Sequence, residues 1–308
     1  MVKQIRSIWE ILKQTVSEFL EDKAMRLSAA LAYYTIFSLP GLIIIVIWVS
    51  DLFLGKHAIE GTIYSQIADF VGSEAAMQIQ VIIRNAALSS EGYIATIIGA
   101  VTLVIGATTV FGEIQDSINY IWRLKAKPKK GWLKMLLNRL LSFSMIISLS
   151  FLMLVSLLVN GLMDALIGKL TEIFPEATVV MVYIANTLLT FLITSLLFGI
   201  IFKVLPDARI RWKHVRAGAF TTALLFMIGK FLISYYLGQS SVSSVYGAAG
   251  SVIIILLWVY YSSIILYFGA TFTRVYAQNK GGRIYPNEYA VWVKQVELES
   301  EEAMSKQP

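Results

Sequence analysis

The chain contains no cysteine, only two histidines and few charged side chains for its length. The absence of cysteine excludes disulfides, thiolate metal sites and cysteine nucleophiles. His57 and His214 are too few and too far apart in sequence to indicate a zinc site. Charged residues make up 15% of the 308 residues and hydrophobic residues 57%, a balance typical of membrane proteins rather than of soluble domains. We therefore expect a membrane protein with no cofactor and no bound metal.

Six segments are long and apolar enough to cross a bilayer, whose hydrocarbon core of ~30 Å takes about 20 helical residues. They cover residues 27–54, 93–115, 140–166, 179–205, 217–237 and 248–277. Pro40, followed by Gly41, predicts a break within the first span. The sequence thus predicts an all-α, polytopic protein in three parts. They are an N-terminal amphipathic helix over 1–26, a six-helix transmembrane bundle over 27–278 and a C-terminal tail over 279–308.

Lys and Arg residues alternate between the segments that connect these spans. Of the 26, 22 fall on the side of both termini when Lys203 and Arg274, near the ends of their spans, are counted there; three fall on the other side, and Lys230 lies within the fifth span. The positive-inside rule then places both termini in the cytoplasm. Topology and attraction to anionic headgroups explain the basic segment 123–134 better than nucleic-acid binding does. We expect membrane lipids, and no specific nucleic acid, as partners.

Aromatic and aliphatic residues mark the predicted membrane interface. Within residues 1–26, apolar side chains recur at three- and four-residue spacing: Ile5, Ile8, Trp9, Leu12, Val16, Phe19 and Leu20. This pattern predicts an amphipathic helix that lies along the cytoplasmic interface or, as an equal alternative, packs against the bundle's own cytoplasmic loops. Trp122, Trp132 and Trp212 lie among the basic residues, where interfacial anchors are expected.

Lys230 is the most informative single residue. It lies about midway along an apolar segment, 219–237, that contains no acidic residue. A lysine at the centre of a membrane helix costs roughly 2.5–3.5 kcal/mol, so its side chain is expected to face protein or water. Either it attracts an anionic group of a substrate, or it forms a buried pair with Glu113, Asp116 or a tyrosine of the sixth span.

Polar residues follow one face of several predicted spans, which indicates an internal cavity. The predicted lining consists of Tyr34, Ser38, Thr109, Glu113, Asp116, Asn186, Thr190, Lys230, Ser234, Tyr260, Tyr267 and Thr271. The alternative for each stripe is close helix packing, because small polar residues are common at membrane helix interfaces. The uncharged, Gly- and Ser-rich loop over 238–250 fits either a re-entrant lid or a plain connector.

Two blocks of sequence carry a family resemblance. They read DKAMRLSAALAYYTIFSLPG at residues 22–41 and YGAAGSVIIILLWVYYSSIILYFGATFTRVYA at residues 246–277. With the six-span layout, they make most of the chain similar to the YihY / virulence factor BrkB family, which implies a bacterial inner-membrane location. That family typically has Gly-Ala-Glu-Phe in the last span, where this chain has Thr271. The resemblance implies that any charge-coupled role of that glutamate is absent here or moved to Glu113 or Asp116.

The sequence favours a transporter or flippase-like protein for an amphiphilic or anionic substrate, such as a lipid or an envelope precursor. The alternative is a structural or scaffolding protein of the cell envelope, without transport activity. An enzyme is not expected, since the acidic residues are scattered and no nucleophile–base set is visible. This also argues against ribonuclease activity, a label once widely used for the family. The sequence leaves open whether the protein forms an oligomer.

Overall fold

The computed structural model describes residues 2–38, 73, 76–81, 93–127, 175–239 and 250–294, and most of them are helical. The helices are α1 (Val2–Glu21), α2 (24–38), α3 (Tyr93–Ile121), α4 (Pro175–Val204), α5 (Trp212–Gln239) and α6 (Gly250–Asn279), and residues 76–81 form a short helical segment. Four short strands accompany them: β1 (Leu124–Ala126), β2 (Ala208–Arg209), β3 (Tyr285–Pro286) and β4 (Ala290–Trp292).

Within these described ranges, three helical segments are long and apolar enough to cross a membrane. They are Ile184–Val204, Trp212–Leu237 and Gly250–Asn279. Helix α3 covers the second predicted span and continues beyond it to Ile121. The mostly helical class is therefore confirmed, and the strands are an addition that the all-α prediction did not contain. The predicted span over 140–166, the Pro40 break and most of the 238–250 loop lie outside the described residues, so the count of six spans stays a prediction.

Helices α5 and α6 are antiparallel and cross closely through a reciprocal pair of contacts. Gly218 lies against Thr273, and Gly269 lies against Thr222, so each helix presents a glycine to the other helix's threonine. Both threonine hydroxyls donate to the carbonyl oxygen of the glycine four residues earlier on their own helix. The threonines therefore satisfy their polar groups locally while the two backbones approach, as small residues permit in membrane helices.

Helix α4 packs on the other side of α5 through aromatic side chains. Phe198 stacks with Phe202 on α4 and meets Phe226 of α5 edge-on, with ring centroids 5.7 Å apart. Phe202 is fully buried in the main hydrophobic core. Pro206 follows directly on the last turn of α4, where its missing N–H and fixed φ prevent the helix from continuing. The sequence α4–turn–α5–α6 thus forms the centre of the described bundle.

Helix α1 packs along the C-terminal half of α6. Ile11 contacts the buried pair Phe272 and Val275, and the Phe19 ring lies 5.8 Å from that of Phe268. Lys23 then takes a left-handed conformation (φ 52°), which ends α1 and redirects the chain into α2. The structure thus has a helix within the predicted segment 1–26, and one of its faces packs on α6, whereas its place at a membrane interface stays a prediction. Three other apolar side chains of α1, Trp9, Val16 and Leu20, are exposed.

The segment after α6 folds back onto the bundle. Gly281 adopts φ 69°, a value that favours glycine, and Gly282 N–H donates to the Ala277 carbonyl, which closes the end of α6. β3 then pairs antiparallel with β2, and β4 pairs antiparallel with β1. The predicted tail is thus joined, up to residue 294, to the turns that follow α3 and α4. We call this region the strand end of the bundle.

Candidate functional site

A buried cation, Arg274, lies at the strand end of the bundle and joins three helices. Its Nη1 donates to the carbonyl oxygen of Ile121, the last residue of α3, and its Nη2 donates to the Glu18 carboxylate of α1. Nη2 also lies 3.4 Å from Oδ2 of Asp22. Arg274 is only 4% exposed. The planar guanidinium suits this position because its several N–H groups reach acceptors from different helices at once.

A second guanidinium completes this group. Arg123 Nη2 lies 2.6 Å from Asp22 Oδ1, while the Asp22 side chain is wholly buried. Arg123 has φ 60°, the left-handed conformation that often ends helices, and this turns the chain from α3 into β1. Burial raises the pKa of Asp22, whereas the charges of Arg274 and Arg123 lower it. We call Glu18, Asp22, Arg123 and Arg274 the Arg274 cluster; its formal charges sum to zero.

A second buried carboxylate, Asp207, connects α3 to the turn between α4 and α5. Its Oδ1 accepts from Gln115 Nε2 at 2.9 Å, and its Oδ2 accepts from Asn119 Nδ2 at 2.8 Å. The Asp207 N–H donates back to Asn119 Oδ1, and the Asp207 carbonyl accepts from the N–H of Asn287 in the segment after α6. We call Gln115, Asn119 and Asp207 the Asp207 cluster. Its amide and carboxylate groups pair with one another, as buried polar groups require.

An open pocket of about 340 Å³ lies beside these two clusters. Its lining combines the exposed side of α3 with β1: Asp116, Asn119, Tyr120, Arg123, Leu124, Lys125, Ala126 and Val293. Among the twelve residues predicted to line a cavity, Asp116 is the member that this pocket contains. Acidic and basic side chains face it together, so its charge is mixed.

Lys230 lies beside the crossing of α5 and α6, toward the end of the bundle that is away from the two clusters. Its neighbour Gly229 is buried against Tyr261 and Ile265 of α6. Lys230 and Ser234, one turn further along α5, are both half-buried, whereas Phe231 is largely exposed. The Lys230 stem therefore leaves the helix at the edge of the crossing, between the packed side of α5 and its outer side.

The predicted residues on α6 become more buried toward the strand end. Tyr260 is half-buried, while Tyr267 and Thr271 are fully buried. Thr271 Oγ1 donates to the Tyr267 carbonyl at 2.9 Å. Tyr267 meets α3 where Ser117 Oγ lies 3.4 Å from the Glu113 carboxylate. The structure thus brings together Glu113 and Tyr267 among the predicted residues.

The predicted residues on the other helices are distributed differently. Tyr34, Thr109 and Asn186 are exposed, and Ser38 and Thr190 are half-buried. Thr109 and Ser38 donate to carbonyl oxygens of their own helices, and Ser38 packs directly against Gly106 of α3. For Ser38 the packing alternative therefore describes the observed contact, since a small residue meets a glycine across two helices.

The comparison with protein families decides where this architecture belongs. A family model described as "Virulence factor BrkB" matches residues 15–290, which is most of the chain and both of the clusters described above. The chain belongs to the virulence factor BrkB family. The resemblance seen in the sequence is thereby confirmed.

Relatives of this BrkB-family chain are membrane proteins. It is 26% identical over 264 residues to a UPF0761 membrane protein of Stenotrophomonas maltophilia (strain K279a), covering 82% of this chain and 57% of the relative. It is 25% identical over 266 residues to one of Tolumonas auensis, covering 82% and 80%. For one of Pseudomonas aeruginosa (strain LESB58) the identity is 27% over 276 residues, covering 85% and 61%. The chain thus spans about three fifths of the Stenotrophomonas and Pseudomonas relatives. No solved structure matches it.

Sequence reasoning about this BrkB-family chain did not find the most elaborate polar contacts. Arg274 is not among the residues predicted to line a cavity, and its partner Glu18 lies 256 residues away. The four-residue spacing of Glu18 and Asp22 was the available signal, because it places two carboxylates on one side of α1. Trp122 was also misjudged: it is 3% exposed and donates its Nε1–H to the Ala270 carbonyl, whereas Trp212 is exposed as an interfacial anchor should be.

Proposed function

We propose that this chain is a six-span protein of the bacterial inner membrane that moves an amphiphilic or anionic substrate, such as a lipid or an envelope precursor. One observation supports this most directly: Lys230 lies half-buried within the candidate span Trp212–Leu237. A cation is costly within a membrane and is retained there when it has a partner or a task. We assign it the task of attracting a phosphate or carboxylate group.

The position of Lys230 at a helix edge suits an amphiphile. On one side, Gly229 packs against Tyr261 of α6, and on the other, Phe231 is exposed. A headgroup beside the ammonium would therefore lie next to protein while its acyl chains remained in the surrounding lipid. The four-carbon stem of lysine gives the charge room to follow a headgroup over a short distance.

The orientation that we propose places the strand end in the cytoplasm, together with both termini. Arg209, Arg211, Lys213 and Arg216 lie in or next to the turn between β2 and the start of α5, as the positive-inside rule expects of a cytoplasmic segment. On α1, Trp9, Val16 and Leu20 form an exposed apolar strip that is separate from the side that packs on α6. We propose that this strip contacts the interfacial region of the bilayer.

The test is a lipid-translocation assay in vesicles that contain the full chain. Fluorescent phosphatidylglycerol and phosphatidylethanolamine are followed by dithionite quenching in proteoliposomes with wild type, Lys230→Met, Lys230→Arg or Lys280→Met. We expect Lys230→Met to slow the anionic probe about tenfold, equivalent to ~1.4 kcal/mol of lost interaction. Lys230→Arg should retain most of the rate, and Lys280→Met, which changes an exposed lysine beyond α6, should match wild type. A wild-type rate equal to that of protein-free vesicles contradicts transport, and an equal loss in both Met variants contradicts the role assigned to Lys230.

A second function, envelope scaffolding, is favoured by a different surface. Tyr285 and Trp292 are exposed on the paired strands, with ring centroids 5.8 Å apart, and Val291 is exposed beside them. Exposed aromatic side chains on an ordered surface are common in protein interfaces. For a scaffold, Lys230→Met is expected to lower thermal stability without changing any transport rate, and Trp292→Ala is expected to release a bound envelope partner.

A further inference from the structure

Tyr267 is a fully buried residue whose hydroxyl lacks a hydrogen bond within the described part of the chain. Its backbone carbonyl is satisfied by the Thr271 hydroxyl, so the local helix geometry is regular. A buried phenolic O–H normally has a partner, because losing water without gaining a replacement is unfavourable. Among the described residues, Ser117 lies beside the hydroxyl without completing a hydrogen bond, so the position suits a further group.

The surroundings of the Tyr267 hydroxyl identify the chemistry of that group. The Ser117 side chain of α3 lies beside the hydroxyl, and the Glu113 carboxylate is close enough to interact with it electrostatically. Ser117 Oγ lies 3.4 Å from Glu113 Oε1. A carboxylate, a serine hydroxyl and a tyrosine hydroxyl from two helices thus converge on one place. All three present oxygen atoms, which suits a hard cation.

In the described parts of α3 and α6, the charged neighbour of Glu113 is another carboxylate. Asp116, on the same helix, adds a second carboxylate that interacts with Glu113. On α6, the nearest cation along the helix toward the strand end is Arg274, and its guanidinium already bonds Glu18, Asp22 and the Ile121 carbonyl. Glu113 is half-buried on a largely apolar helix, where an uncompensated carboxylate is unfavourable.

We propose that Glu113, Ser117 and Tyr267 form a binding site for a monovalent cation, a proton or Na⁺, that neutralises the Glu113 carboxylate. With a proton bound, the Glu113 carboxyl group would donate a hydrogen bond to the Tyr267 hydroxyl oxygen. Na⁺ would take the three oxygen atoms as ligands. The site does not depend on transport of an anionic substrate at Lys230, and it could serve either as a coupling site or as a fixed structural ion site.

Labelling by dicyclohexylcarbodiimide tests the site without knowledge of any substrate, because this apolar reagent modifies protonated carboxyl groups in apolar surroundings. The full chain in detergent is labelled across pH 6 to 9 in NaCl or in choline chloride, and peptides are mapped by mass spectrometry. We expect label on Glu113 that Glu113→Gln removes and that Asp116→Asn, a change at the exposed neighbour, leaves in place. Protection by NaCl but not by choline chloride identifies Na⁺; labelling that increases toward acid in both salts identifies a proton.

Tyr267→Phe is the decisive variant, because it removes one oxygen and keeps the ring. If Na⁺ is bound, the NaCl concentration that gives half-protection should rise about tenfold, since one of three ligands is lost. If a proton is bound, half-maximal labelling should move by about one pH unit, since a hydroxyl beside a carboxyl group changes the balance between its two forms. Absence of label on Glu113 throughout the pH range overturns the site. So does a correctly folded Tyr267→Phe protein whose pH profile and Na⁺ protection equal those of wild type.

Discussion

At the scale of single residues, Arg274 is the side chain whose removal should have the largest effect on stability. It is buried with two carboxylates, and the Asp22 side chain is completely inaccessible. The buried Asp22, the half-buried Glu18 and a helix C-terminus face one guanidinium, so each of its contacts compensates a group that would otherwise be unfavourable. Deleting the cation removes the bond to Glu18 and leaves the buried Asp22 with Arg123 as its remaining cation, which costs more than the pair itself contributes.

We expect Arg274→Met to lower the free energy of unfolding by about 3–5 kcal/mol, the usual cost of leaving a buried charge without its partner. The loss should depend on pH. Burial raises the pKa of Asp22 and Arg274 lowers it, so without Arg274 the folded-state pKa lies further above the unfolded value. The variant is then most stable in acid, and this stability is lost as the pH rises through the folded-state pKa. Its Tm deficit relative to wild type should therefore shrink from pH 8 to pH 5.

The control for this experiment is Arg209→Met, which removes an exposed arginine from its 2.7 Å pair with Glu288. Surface pairs of this kind contribute about 0–1 kcal/mol, so its Tm should stay near that of wild type at every pH. Thermal unfolding followed by tryptophan fluorescence measures both variants. A deficit in Arg274→Met that is the same at pH 8 and pH 5 would show that Asp22 does not govern the effect.

At the scale of elements, the crossing of α5 and α6 depends on the absence of side chains at two positions. A Cβ atom at Gly218 would collide with Thr273, and one at Gly269 would collide with Thr222. Because each glycine faces a threonine of the other helix, both contacts depend on the same short distance between the two backbones. The crossing carries Arg274 toward α1 and α3 at one end, and at the other it packs Gly229, the neighbour of Lys230, against Tyr261. Its geometry therefore affects both regions for which we propose functions.

We expect Gly218→Ala and Gly269→Ala each to destabilise the protein by about 1–3 kcal/mol, the typical cost of overpacking. Gly112→Ala on α3 is the matched control. Nothing lies within 4 Å of its added Cβ, and alanine in an open helical position stabilises by about 0.5–1 kcal/mol relative to glycine. The Tm values of the three purified variants test this. Equal Tm shifts at positions 112 and 218 would mean that helix propensity, and not the contact with Thr273, decides the result.

At the scale of the whole molecule, the sequence predicted the helices much better than their connections. The limits of α4 and α6 differ from the predicted spans by a few residues, because the length of an apolar run is set by the membrane. The strand pairs were not predicted, since β2 and β3 have two residues each and their pairing depends on distant chain segments. Likewise, α1 was recognised as amphipathic, but its pattern did not reveal that Phe19 packs on α6 while Trp9 stays exposed.

Asp207 connects the segment after α6 to the turn between α4 and α5 and to α3. This buried carboxylate accepts hydrogen bonds from two amide side chains of α3, while its backbone carbonyl accepts from Asn287. Asp207→Ala leaves both amides without their charged acceptor, and hydrogen bonds to charged groups contribute about 1.5–3 kcal/mol each. Glu288→Ala instead removes an exposed contact of the same segment with Arg209, where we expect a change of about 0–1 kcal/mol. Limited proteolysis should therefore cleave residues 280–294 faster in Asp207→Ala than in Glu288→Ala. If both variants are cleaved at the wild-type rate, the strand pairs alone hold the segment, and the Asp207 cluster acts only within the turn between α4 and α5.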